Sequence, residues 1–190
     1  MTMPADFSGR LLNHVELFHK PGERDLAVQF FEALRWTVLD VTEQFGARTP
    51  YLCAFPNASA TDPLNNAIYL SETRSSLSLE RLLMARGEDD KELQEALDEV
   101  RSGTKRLGGA LHFGLRYRDF EEVESLIEDL ERELPASLEG RVTIQRPFTA
   151  TLRALDTEVI QAFVHTDVVG AGLVPFGQLI ELQAQRPLSA

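Results

Sequence analysis

An α+β fold built from two βαβββ units, with a helical insertion between them, is the architecture this 190-residue sequence predicts. Three observations predict it. Alternating apolar and polar residues mark short strands toward both ends of the chain, a helical period follows the first strand of each set, and the order β-α-β-β-β occurs twice. The units are expected over 11–72 and 110–187, and the insertion over 73–109.

The first strand is read from Leu11 to Phe18, with Leu11, Val15 and Leu17 on one face and His14 and Glu16 on the other. After the breaker KPGERD, Leu26, Phe30, Ala33 and Leu34 fall at helical spacing, with Asp25 as the expected N-cap. Three extended segments follow, at 36–41, 51–56 and 67–72, separated by turn-rich stretches. From 73 to 109 the character changes to two amphipathic helices, the second opened by Asp89 or Asp90 and closed by Gly103. These helices face water, cover a site or mediate a homodimer.

The first pattern then returns. Leu111, Phe113 and Leu115 alternate with His112, Gly114 and Arg116, and Phe120, Val123, Ile127, Leu130 and Leu134 make an amphipathic helix ended by Pro135. Strands are expected at 141–147, 159–166 and 178–185. Aligning the units matches His14 with His112, Leu17 with Leu115, Leu26 with Val123, Phe30 with Ile127 and Ala33 with Leu130. Two half-sheets, each too small to bury its own apolar face, gain stability by packing together.

Composition narrows the function. With 43% hydrophobic and 26% charged residues, the chain is of ordinary globular type. Thirty acidic residues against nineteen basic ones give a net charge of −11, which repels phosphate backbones and anionic membranes; neither is an expected partner. A small molecule is. The single cysteine, Cys53, lies in an apolar run and permits no disulfide framework. The opening residues carry no basic-then-apolar leader and no membrane-length apolar run occurs, so a cytoplasmic location is expected.

Superposing the last strands of the units sets Tyr69 against Glu181, which brings His14, His112 and Glu181 into register as metal-capable residues. With these positions, the HVELF…AVQFFEALRW opening, the LHFGL…FEEVESLIEDL segment and the closing GQLIELQ strand resemble the vicinal oxygen chelate superfamily. Glyoxalases, bleomycin-resistance proteins and extradiol dioxygenases belong to it. The resemblance implies curled mixed sheets forming a cup, with metal ligands on the first and last strands of each unit. His14, His112 and Glu181 are then the expected ligands, and the fourth, glyoxalase-type carboxylate position falls on Tyr69. Two histidines and one carboxylate with open positions suit Fe(II) or Mn(II) and a dioxygenase acting on a small chelating aromatic or keto-acid substrate. A glyoxalase- or epimerase-like enzyme using Zn, Ni or Co, and a metal-free binding protein, are the alternatives.

Further candidates surround this centre. Glu16 and Arg116 share the ligand faces and either pair with each other or orient an anionic substrate. Gln161, Phe163 and His165 share one side of the adjacent strand, Gln161 and Phe163 as substrate contacts and His165, with Tyr69, as a candidate for proton transfer. The loop 167–177 is expected to flank the cup mouth.

Overall fold

The computed structural model describes residues 14–44, 50–62, 66–103, 112–172 and 176–188. Strand β1 (His14–His19) turns at Gly22, whose φ of 79° suits glycine, into helix α1 (Arg24–Ala33). Strands β2 (Thr37–Asp40), β3 (Tyr51–Phe55) and β4 (Ala67–Glu72) follow, then helices α2 (Ser75–Gly87) and α3 (Lys91–Gly103). Strand β5 (His112–Arg116), helix α4 (Phe120–Glu133) and strands β6 (Val142–Leu152), β7 (Thr157–Thr166), β8 (Val169–Gly170) and β9 (Gln178–Pro187) complete the described chain. The fold is α+β, with four α-helices and two mixed sheets that do not close. Leu11, Leu111 and residues 104–110, to which strand and linker roles were assigned, lie outside the described residues.

The two sheets share a topology. In the first the order is β2-β3-β4-β1-β8, and in the second β5-β9-β7-β6, so each opening strand lies parallel to the closing strand of its own unit. The remaining neighbours within each unit are antiparallel. Register agrees as well. His14 pairs with Ala67 and Glu16 with Tyr69, while His112 pairs with Leu179 and Gly114 with Glu181. Tyr69 and Glu181 therefore occupy equivalent places.

One continuous core joins the halves. Leu17, Phe30, Phe31, Trp36, Leu52 and Leu70 from the first half pack with Val123, Ile127, Leu130, Ile160, Ile180 and Leu182 from the second. Alternation explains the selection, because residues two apart on a strand share a face and the apolar set of each sheet turns toward α1 or α4. Polar contacts cross the same boundary. The Trp36 indole N–H donates to the Tyr117 hydroxyl at 3.4 Å, and burial pushes that phenol up to about 12. Arg35, at φ 61° just beyond α1, donates to Ser125 Oγ at 3.0 Å and pairs with Asp129 on α4.

Several element expectations need correction. Asp25 is not the cap of α1; Glu23 holds that place without a side-chain cap bond, its carboxylate drawn instead to Arg141 at 3.0 Å. Asp25 sits in the first turn, where the helix dipole favours an acid. Strand β6 continues past Pro147 to Leu152, because it is an edge strand and a bulge between Gln145 and Phe148 takes the residue that cannot donate to the ladder. The loop 167–177 contains β8, whose two residues pair with Phe18 and His19 and so extend the first sheet with chain from the second half. Two residues are too few to show a period.

Helix ends otherwise follow local chemistry. Asp90 accepts from the Leu93 amide at 3.1 Å to open α3, and Asp119 accepts from the Glu122 amide at 2.9 Å to open α4. Leu134, before Pro135, is extended and ends α4.

Candidate functional site

The second sheet presents a polar grid on the face turned away from α4. Its cross-strand rows are His165–Leu179–His112, Phe163–Glu181–Gly114 and Gln161–Gln183–Arg116. Strand β6 extends these rows with Thr143, Gln145 and, beyond the bulge, Phe148. The intervening residues Phe113, Leu115, Ile180, Leu182 and Val164 belong to the core, so period-two alternation alone commits the polar set to the opposite side.

Glu181 is the centre of this face. Its Oε1 accepts from Gln183 Nε2 at 3.0 Å and from Gln161 Nε2 at 2.5 Å, while its Oε2 lies 3.4 Å from His112 Nε2. The last distance is long for a hydrogen bond, and the contact is better described as an imidazole held beside a carboxylate. The Glu181 side chain is 13% exposed and that of His112 is 35% exposed, so the imidazole is the reachable end of the pair. Room for an approaching group comes from Gly114, where even a Cβ would stand only 3.4 Å from Glu181 Oε2.

Beside the pair lies an aromatic platform. Phe148 and Phe163 stack with centroids 6.3 Å apart and planes 9° apart, and His112 meets Phe163 edge-on at 6.1 Å. Phe148 is 37% exposed, which leaves an aromatic surface open next to a carboxylate, an imidazole and two amides. Such an arrangement can hold a flat ring by stacking while its polar substituent meets Glu181 and His112.

The equivalent face of the first sheet is built differently. His14 stacks on Tyr69, with centroids 4.6 Å apart and planes 20° apart. Glu16 accepts from the Tyr51 hydroxyl at 3.0 Å and from Ser71 Oγ at 2.9 Å, so that of the two roles offered for Glu16 and Arg116 the mutual ion pair is not the one formed among the described residues. Val41, Cys53, Phe55 and Ala67 form a buried apolar cluster on which Tyr51 and Tyr69 pack. Burial pushes the Cys53 thiol up to about 12, and burial, with Cys53 and Asp62 nearby, raises the Tyr69 phenol, so both stay protonated near neutrality.

The structure thus joins His112, Glu181, Gln161 and Phe163, and places His14 with Tyr69 in a separate contact. Among the described residues, no three His, Cys, Asp or Glu side chains come together as a metal-holding group. The donor set supports the same reading: Glu181 Oε1 is taken by two amide N–H groups and His14 lies flat against a phenol ring. A three-ligand centre of His14, His112 and Glu181 does not fit this geometry. His165, 4% exposed, lies on the same face but beyond Leu179, in a different cavity. Two contributors were missed from sequence. Gln183 follows Glu181 by two on one strand and was visible in the alternation, whereas Phe148 lay hidden behind Pro147.

No family model matches the chain, and no curated protein matches it. A solved structure, an integron cassette protein from the mobile metagenome of a Halifax Harbour sewage outfall, is similar at 12% identity over 93% of this chain and 99% of that one, with a TM-score of 0.47. At that level the likeness carries no argument about fold or function. Among the described residues no helix is long and apolar enough to cross a membrane.

Proposed function

We propose that this chain is a small-molecule-binding protein of the vicinal oxygen chelate type, whose two sheets curl into a cup and whose second sheet forms the binding wall. The ligand is a flat aromatic molecule carrying a hydroxyl. Its ring lies on Phe148 and its O–H donates to Glu181 Oε2, with His112 beside the same oxygen. The observation that carries this reading is the Glu181 carboxylate, fixed by Gln161 and Gln183 and bordered by an exposed aromatic stack. The repeated strand order, with both polar faces turned from the helices, supports the cup.

A carboxylate receiving a hydroxyl forms a charge-assisted hydrogen bond of about 1.5–3 kcal/mol, and a stacked ring adds about 0.5–1.5 kcal/mol. The Glu181→Gln substitution keeps the shape and removes the charge. Calorimetric titration with catechol is therefore expected to show saturable binding that weakens about tenfold or more in Glu181→Gln, and severalfold in Phe148→Ala. Unchanged affinity in Glu181→Gln would overturn the assignment.

The dioxygenase and glyoxalase readings need a third protein donor beside His112 and Glu181. Anaerobic titration with Fe(II), Mn(II) or Zn(II) is expected to give no one-to-one complex. A stoichiometric complex lost in His112→Ala would establish the metalloenzyme reading instead.

A further inference from the structure

A second cavity lies where the insertion helices α2 and α3 cover the end of the second sheet. It has a volume of about 270 Å³ and is lined by Lys20 from the end of β1, Glu80 from α2, Asp98 and Arg101 from α3, and His165 from β7. At about 30 Å³ per water it is too large for one or two solvent molecules, and it sits at the small end of ligand pockets.

The charges lining it are unevenly matched. Arg141 is engaged by Asp167 at 2.5 Å and by Glu23 at 3.0 Å, and Arg101 lies 4.0 Å from Asp98. Glu80 differs: its Oε2 is buried and receives no hydrogen bond among the described residues. Lys20 faces the same space and makes no ion pair among the described residues. A buried carboxylate oxygen without a donor is costly, about 1–3 kcal/mol or more for a charged group, and such an atom marks a place that a donor completes. Burial drives the Glu80 carboxyl up, opposed by Lys20 and Arg101, which line the same cavity.

We infer that this cavity binds a small zwitterion bearing an ammonium and a carboxylate, the ammonium donating to Glu80 Oε2 and the carboxylate accepting from the Lys20 ammonium. Glu80 and Lys20 present one acceptor and one donor to the same cavity, a pair that a simple anion or a simple amine matches only in part. The insertion then has a role of its own, since α2 supplies Glu80 and α3 closes the wall. Neither Glu80 nor Lys20 belongs to the aromatic-binding face, so this inference stands or falls independently of it.

Calorimetric titration of the full chain with glycine, β-alanine and 4-aminobutyrate tests it, with glycine betaine as a control whose cation has no N–H donor. At least one aminocarboxylate is expected to bind saturably, with betaine at least tenfold weaker and Glu80→Gln weakening the best probe at least tenfold. Lys20→Gln, at a half-buried position, is expected to weaken it severalfold, and carries the test if Glu80→Gln loses its native circular dichroism. No saturable heat with any aminocarboxylate up to about 10 mM, equal affinity for betaine, or wild-type affinity in both folded variants would overturn the inference.

Discussion

The inner faces of the two sheets share strand order and register, yet each holds its acid in a different way. In the first, the cross-strand row Glu16–Tyr69–Cys53 puts the acid on the opening strand and a phenol on the closing one. In the second, Gly114–Glu181–Phe163 puts a glycine where the acid was and an acid where the phenol was. The exchange decides the chemistry. Glu16 is bound by Tyr51 and Ser71, with Tyr51 also packed on a buried apolar cluster, whereas Glu181 looks across a glycine toward an exposed imidazole and phenylalanine. Repetition of a fold therefore does not repeat a site, because one side chain per row sets which partners hold the acid.

The largest effect expected from this contrast is on the reactivity of Cys53, which is fully buried beside Tyr69 in the first sheet. A thiol raised to about 12 carries on the order of a thousandfold less thiolate at pH 8 than an ordinary cysteine. Iodoacetamide labelling followed by mass spectrometry should leave the native protein unmodified and label it in urea. The native rate should rise about tenfold per pH unit while the pH stays below that value, since thiolate grows as protons are removed. Labelling at the rate of a free thiol at pH 8 would mean that Cys53 is not enclosed by the apolar cluster around it.

Next comes the core shared by both halves. Phe31 is fully buried and stacks on Trp36 at 4.9 Å, so Phe31→Ala should cost about 3–5 kcal/mol in urea unfolding. Because the core is continuous, the variant should still lose both halves in one transition. Two separated transitions would show that the sheets are energetically independent.

Smaller again is the cost of forcing the second pattern onto the first. Tyr69→Glu sets a carboxylate against Cys53 and Phe55 and should destabilise by about 1–3 kcal/mol, without creating a second catechol site. Stability equal to wild type, or two bound catechols in place of one, would show that the faces are interchangeable after all.

How much of this was legible in the sequence depends on the range of the interaction. Alternation at His14, Glu16, His112 and Arg116 assigned faces correctly, because a one-residue slip would bury every polar group on those strands. The equivalence of Tyr69 and Glu181 was legible for the same reason, and so was the end of α4 at Pro135. Partner choice was not. Glu16 turns to Tyr51 and Ser71 on neighbouring strands, and His14 to Tyr69, through contacts that depend on which strands become neighbours. The meeting of His14 with His112 rested on equivalent strand positions, and equivalence of register fixes a row within each sheet, not the distance between the two sheets; His14 lines one cavity with Gly114 but stacks on Tyr69. Phe148 and β8 were hidden by a bulge around a proline and by a pairing only two residues long.

The most direct test of a site confined to the second sheet is the imidazole NMR spectrum during catechol titration. His112 should shift progressively to saturation while His14, stacked on Tyr69 in the other sheet, keeps its position. Equal, parallel shifts of His14 and His112 would contradict it, since they would place both histidines at a single shared centre.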